Sequence, residues 1–399
     1  MPNNEPASIL LRNARIVFGE GTIETANLLI DGDRFVGILD SSEPLPPASS
    51  VVDLTGMTLF PGFIDIHIHG AVGVDTMSAA AEDLHQVSVF LARSGITGWL
   101  PTLVPDSPSR YQRATKAIDD LIANQKSGSS GLGARALGVH YEGPFVNGQQ
   151  CGALHRKHFR TFSDLDDLSS ISRLTEGGAI HMMTVAPEIE GGVKLIEELA
   201  KQGWIVSIGH TRATCDVLDQ ARNAGARHMT HFMNAMTPLH HRAPGPVDWG
   251  LMNDGVTCDL IADGIHLDPA ILKLILRNKT SQRVSLISDA VAAAGLADGE
   301  YQIWGETIVV RNGRTQNSNG NIAGSVITML DAVRMMLSLG FSESEVAQMS
   351  SLNPARLLRI DHDCGSIAEG KRADLVALDD KRQVRLTMIG GQVAFQDLS

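Results

Sequence analysis

The sequence predicts an α/β protein, a (β/α)8 TIM-like barrel with a small β-sandwich domain built from both termini. Three observations lead there. Between residues 61 and 359, eight apolar strand candidates alternate with amphipathic helical patterns, the signature of parallel strands joined by helical crossovers. Short strands and tight turns fill residues 1–60 and again 360–399, so the two ends are expected to meet in one small domain. Ionisable side chains recur at the C-terminal ends of the apolar strands, the end at which a barrel gathers its functional groups. A doubly wound open sheet is the alternative, weakened because no G-x-G-x-x-G follows an early strand.

In chain order, ILLRNARIVF, NLLIDGDRFVGIL and VVDLTG in residues 8–55 read as short strands, with Asp-Gly as a hairpin signal and Pro-rich SSEPLPPASS as a loop. The barrel strand candidates are GFIDIHIHG, TGWLPTLV, ARALGVHYEGPF, IHMMTVAPE, WIVSIGHT, HMTHFMNAM, VTCDLIADGIH and VSLISDAV. Between them AEDLHQVSVFLARSG, YQRATKAIDDLIANQ, VKLIEELAKQG, CDVLDQARNAG and PAILKLILRNK carry helical periodicity, several ending in Gly as a C-cap. DLVALD, VRLTMIGG and QVAF return to the strand style at the C-terminus.

The 399 residues suffice for one large domain and a small one. Hydrophobic residues make up 43% and charged residues 20%, ordinary for a soluble globular chain. A formal net charge of −12 argues against nucleic acid as the main partner, while leaving room for a local basic pocket. Cys151, Cys215, Cys258 and Cys364 form no C-x-x-C pair, which fits reduced thiols in a cytoplasm. No basic n-region with a long apolar run opens the chain, and no stretch reaches about 18 apolar residues. A cytoplasmic protein without membrane contact is expected.

In PGFIDIHIHG, a Pro-Gly turn opens a strand in which Asp65, His67 and His69 are expected on one face and Ile64, Ile66 and Ile68 on the other. Two imidazoles one pleat apart can chelate a metal ion; hydrogen-bonded core histidines are the plainer alternative. The remaining strands extend the pattern. The third ends in Glu142, the fifth in His210, the sixth in His231, the seventh in Asp263 and His266, and the eighth in Asp289. Unpaired ionisable groups are costly after apolar runs, so a shared metal site accounts for them better than separate satisfied groups. Histidine and carboxylate donors suit zinc, iron or manganese, and the lack of cysteine ligands argues against a purely structural zinc site. His140 shares a strand face with Glu142 and is a candidate to support the ligands. His85, His158 and His362 are expected to face solvent, and His155, His240 and His241 to lie in loops on the functional side. No G-x-S-x-G elbow appears, and Cys151 and Cys258 lack an evident base, so nucleophilic serine or cysteine chemistry has little support.

These motifs resemble the amidohydrolase superfamily and, within it, the N-acetylglucosamine-6-phosphate deacetylase family. The matching stretches are PGFIDIHIHG, GVHYEGPF, SIGHT, THFMNAM, ADGIH, LISDA and IAGS, spanning residues 61–325 in the family's order, with EGKRADLVALD resembling a strand of its small domain. Many amidohydrolases bridge two metals with a carboxylated lysine ending strand four; here that strand ends in VAPE, and Glu142 is the available bridging carboxylate. The resemblance implies that Glu142, His210 and His231 hold the principal divalent ion. His67 and His69, with Glu142 and Asp289, would hold a second. Ala153 and His155 would contact the sugar, Asn234, Ala235 and Arg242 the sugar phosphate, and Ile322, Ala323 and Gly324 a loop over the substrate. Asp289 would be general base and then general acid, and His266 would bind substrate and stabilise the carbonyl oxygen. Arg242 can reach a neighbouring subunit's site in the family, so a homodimer is implied. One departure stands out. Where the family commonly reads G-A-H, this chain has GALH with Leu154 inserted, which leaves N-acetylgalactosamine 6-phosphate open as the substrate. A different amide hydrolase and, more distantly, a non-catalytic metal-binding barrel are the other readings.

Overall fold

Eight parallel strands form the centre of the computed structural model, which describes residues 8–398 apart from 20, 22 and 41. The first seven residues and the last one of the expected small domain therefore lie outside the described residues. The barrel strands are Phe63–Ile68, Ile96–Leu103, Gly138–Glu142, Ile180–Val185, Ile205–Ile208, His228–Met229, Thr257–Ile261 and Val284–Ile287. Each pairs in parallel with the next. Closure comes just past the strand ends, where Asp289 N–H donates to the His67 carbonyl at 2.9 Å and His69 N–H to the Ala290 carbonyl at 2.8 Å.

The expected helices form at Ala81–Arg93, Pro108–Ser127, Gly192–Lys201, Cys215–Ala224 and Pro269–Lys279. Two more, Pro246–Met252 and Met329–Ser338, complete the crossovers after the sixth and eighth strands. The third crossover carries short 3-10 turns at Gly148–Gln150, Arg156–His158 and Leu165–Leu168. The sixth strand is shorter than the sequence suggests. After Met229 the chain coils into turns, with Asn234 N–H returning to the His231 carbonyl at 2.9 Å, and this brings His231 back over the barrel mouth.

Ile64, Ile66, Leu100, Met182, Ile205, Ile261 and Ile287 form one cluster. Residues from six strands around a barrel can meet only in its interior. Ile68 departs from the even alternation expected of the first strand, since it packs with Phe63 and the helix layer. The pairing with the second strand is irregular between Asp65 and Ile68, and such an irregularity re-aims the side chains beyond it. Both His67 and His69 thereby reach the mouth. The backbones crowd where Gly138 faces the fourth strand; a Cβ there would lie 2.0 Å from the Ile180 carbonyl oxygen. Gly138→Ala is expected to destabilise the fold by about 1–3 kcal/mol, read as a lower urea midpoint.

The strands from both termini hydrogen-bond into one eight-stranded sheet. Thr58–Pro61 pairs antiparallel with Leu375–Leu378, which joins the two ends of the chain. Leu28 and Ile30 from one end of this sheet share a core with Leu386 and Met388 from the other, so the two layers of the expected sandwich belong to one sheet curled on itself. No described helix is long and apolar enough to cross a membrane.

Candidate active site

Glu142 ends the third strand with its carboxylate buried, and four imidazoles surround it. Its Oε1 lies 2.8 Å from His210 Nε2 and 3.0 Å from His231 Nε2. Its Oε2 lies 3.3 Å from His69 Nε2 and 3.8 Å from His67 Nε2. Asp289 Oδ1 sits on the far side of the second pair, 3.4 Å from His67 Nε2 and 3.3 Å from His69 Nε2. Two triads result, His67–His69–Glu142 and Glu142–His210–His231, each with its donor atoms within 4.8 Å of one another.

The local backbone explains how strand ends deliver these groups. His210, His231 and Asp289 have φ of 46°, 33° and 50°, a left-handed conformation that persists for such residues only when the surroundings enforce it. The surroundings do. His210 Nδ1–H donates to the Gln150 carbonyl at 2.7 Å, which turns its Nε2 inward. The Asp259 carboxylate accepts the His231 backbone N–H and, at 2.9 Å, a hydrogen bond from His228 Nε2. His140 stands edge-on to His67 and bonds the Ile66 carbonyl and Thr184 Oγ1, so it braces the first strand from inside. Asp65 Oδ1 accepts N–H groups of His67 and Ser288 at 3.3 Å; burial pushes this carboxyl up to about 7.

The electrostatics favour a cation. Burial opposes a charge on Glu142, yet hydrogen bonds from His210 and His231 outweigh it and hold the carboxyl well below the usual range. Burial likewise opposes a charge on His69, but Asp289 and Glu142 raise it to about 10. His231 is raised to about 9 against burial by Glu142. The Nε2 atoms of His67 and His69 face each other at 3.1 Å, as do those of His210 and His231. Two nitrogen lone pairs at that distance repel unless a proton or a metal ion lies between them. The all His and carboxylate donor set, lacking thiolate, fits a divalent ion with open positions. His67, His69 and His231 leave Nδ1 without a hydrogen-bond partner, so the outer support of these three rings is packing and backbone geometry.

A cavity of about 260 Å³ opens over this cluster. Of the residues expected at the site, His69, Glu142, His210, His231, His266 and Asp289 line it, together with Ala153, Asn234, Ala235, Ile322 and Gly324. His67 lies behind His69, fully buried. His266 Nδ1 is held by Asp263 Oδ2 at 2.7 Å. Burial opposes the Asp263 charge, but the hydrogen bonds from His266 keep that carboxyl low. Ala323 is buried against Val291 and Ala292 instead of lining the space. His155 stands outside the lining, its Nε2–H donating to the Trp304 carbonyl at 2.8 Å. Arg242 is exposed and does not line the cavity, nor do His240 and His241, which stack on each other at 4.9 Å. His362 is exposed as expected, whereas His85 and His158 are half-buried.

Gly152, Leu154, Trp304 and Asn321 also line the cavity. Sequence reading singled out only Leu154 among them, and only as an insertion. Asn321 directly precedes Ile322 and its side chain donates to the Gly152 carbonyl at 3.2 Å, tying two loops together. Trp304 comes from a hairpin that the sequence reading passed over.

A parallel barrel with histidines grouped about one carboxylate at its C-terminal mouth defines the class, a metal-dependent hydrolase. The amidohydrolase family model matches residues 58–394. The chain is 37% identical to the N-acetylgalactosamine-6-phosphate deacetylase of Escherichia coli O157:H7, covering 96% of this chain and 99% of that one. It is also 37% identical to the N-acetylglucosamine-6-phosphate deacetylase of Bacillus subtilis (strain 168), covering 97% of each. Among solved structures it superposes on the N-acetylglucosamine-6-phosphate deacetylase of Thermotoga maritima with a TM-score of 0.86 at 33% identity, covering 97% of this chain and 100% of that one. The chain belongs to the amidohydrolase family and, within it, to the N-acetylglucosamine-6-phosphate deacetylases.

Proposed function

We propose that this protein hydrolyses the acetamide of N-acetylglucosamine 6-phosphate, releasing acetate and glucosamine 6-phosphate. The observation that carries the reading is Glu142 shared between two imidazole pairs, with Asp289 beside one of them in the same cavity. A purely structural metal site closes its coordination shell and has no use for a further base facing open space.

In this reading Glu142, His210 and His231 hold the principal ion, zinc first and iron or manganese next, and His67 and His69 with Asp289 can hold a second. Bound there, a divalent ion supplies Lewis acidity and makes water acidic enough to attack at neutral pH. Asp289 accepts the proton of the attacking water and gives it to the departing sugar nitrogen, base and then acid. His266 gives its Nδ1–H to Asp263, so its Nε2 is free for the cavity. In this reading its Nε2 is directed at the carbonyl oxygen on which negative charge develops. Asn234, Ala235, Ala153 and the Ile322–Gly324 segment position the sugar.

A second substrate, N-acetylgalactosamine 6-phosphate, is favoured by the 37% identity to a deacetylase of that sugar phosphate, with the inserted Leu154 in the cavity lining as the departure from the commoner loop. Acetate release from both epimers, with and without the 6-phosphate, separates the readings by the ratio of kcat/KM. No release from any phosphorylated sugar would overturn the assignment.

Arg242 is proposed to hold the phosphate. It is exposed and outside its own chain's cavity, a placement that suits reaching into the site of a second copy in a homodimer. A guanidinium fork matches phosphate oxygens, and hydrogen bonds to charged groups contribute about 1.5–3 kcal/mol. Arg242→Ala should therefore raise KM for the phosphorylated substrate about 10- to 100-fold, leaving the slow hydrolysis of the unphosphorylated sugar nearly unchanged. Equal losses on both would remove Arg242 from phosphate recognition. The four cysteines are free, two of them buried, in keeping with a cytoplasmic enzyme.

A further inference from the structure

After the eighth strand, an antiparallel three-stranded sheet, Gly299–Ile303, Glu306–Arg311 and Arg314–Gln316, is inserted before Met329–Ser338. Its two hairpins each turn on two residues of positive φ, the pattern of a type I′ turn, for which Asn-Gly is the preferred pair. The second hairpin has that pair, Asn312 at 52° and Gly313 at 76°. The first has Trp304 at 54° and Gly305 at 80°. A bulky residue in the left-handed region is an outlier, and strain of this kind gathers at ligand-contacting positions. The same small sheet therefore uses the unstrained solution at one turn and forgoes it at the other.

The strained turn is the one at the cavity. Trp304 lines it, and its ring meets His69 edge-on with centroids 5.0 Å apart. Its backbone N–H faces the Asp75 carboxylate and its carbonyl accepts from His155 Nε2–H at 2.8 Å. Loops following the first, third and eighth strands thus converge on this residue and fix its position. His69 Nε2 lies 3.3 Å from both Glu142 and Asp289, so the indole stands at the end of the cavity where the amide would be cleaved.

We infer that Trp304 is a specificity-determining residue that limits the length of the acyl chain, its indole closing the cavity beyond the acyl carbon so that acetyl fits and longer chains do not. This inference rests on the deacetylase reading. In a hydrophobic pocket one methylene is worth about 10- to 200-fold in kcat/KM, enough to make the indole a filter. The test compares kcat/KM for the N-acetyl, N-propionyl and N-butyryl forms of glucosamine 6-phosphate in the wild type, Trp304→Ala and Trp304→Asn. Asparagine suits the type I′ turn, so that variant keeps the hairpin; thermal melting and metal content check its fold. The butyryl-to-acetyl ratio should rise at least about tenfold in both variants, with Trp304→Phe retaining most of the preference. An unchanged ratio in the folded Asn variant, with the wild type cleaving the acetyl substrate, overturns the inference alone. A wild type that releases no acid from any of the three overturns the deacetylase reading and this inference with it.

Discussion

Glu142→Ala should lose nearly all bound metal and reduce kcat/KM by about 10⁴-fold or more. The magnitude follows from what one carboxylate does here. Its two oxygens face different imidazole pairs, Oε1 toward His210 and His231 and Oε2 toward His67 and His69, and both three-residue donor groups contain it. Truncation lowers each group from three ligands to two and removes the negative charge that draws a cation to four buried imidazoles. A catalytic ion supplies several kcal/mol of charge stabilisation together with the nucleophile, and each 1.36 kcal/mol is about tenfold in rate. Elemental analysis after dialysis, alongside acetate release, measures both effects. A variant with full metal content and normal turnover would show that the ion sits elsewhere. Glu142→Gln is the companion control, since it keeps the volume and one acceptor oxygen but not the charge.

Asp289→Asn separates proton transfer from metal binding. Asp289 touches only the His67–His69 side of the cluster, so the Glu142–His210–His231 triad is intact in this variant and should retain its ion. The amide cannot accept a proton from water, and a positioned general acid or base contributes about 10²–10⁴-fold. Asp289 is proposed to serve both the attack and the departure of nitrogen, which places the expected loss in kcat at the upper end of that range, with KM little changed. Near-normal turnover would move the base to another residue, with His266 the next in the cavity. Loss of the principal ion would instead make Asp289 chiefly a ligand.

Much of the histidine–carboxylate cluster was legible before any tertiary information because strand ends announce themselves locally. An apolar run of period two followed by His, Glu or Asp is a costly arrangement unless the polar group has a partner, and His67, His69, Glu142, His210, His231 and Asp289 all follow such runs. The helices with a clear apolar stripe and Gly stop were equally readable. The two not expected differ in kind. Pro246–Met252 spans only seven residues, too short for a periodic pattern, whereas Met329–Ser338 has an apolar face, a Thr328–Asp331 capping box and Gly340 beyond its end, so it was legible in the sequence. Trp304 was illegible because its local turn prefers Asn; the reason for a tryptophan lies in two loops distant in sequence, one holding His69 and Asp75 and one holding His155.

By itself, then, the sequence determined the kinds of element, their order, and which residues would need partners at the barrel's mouth. These depend on periodicity and burial cost, which act between neighbours along the chain. Only the tertiary structure decided which partner each took. It set one Glu142 oxygen against each imidazole pair, broke the pleat after Ile66 so that His67 and His69 both face inward, and left Arg242 outside its own cavity. It also curled two terminal segments into a single sheet and brought Trp304 against His69. Those outcomes rest on strand register, on a pairing irregularity and on contacts between loops far apart in the chain, where a shift of one residue turns a side chain to the opposite face.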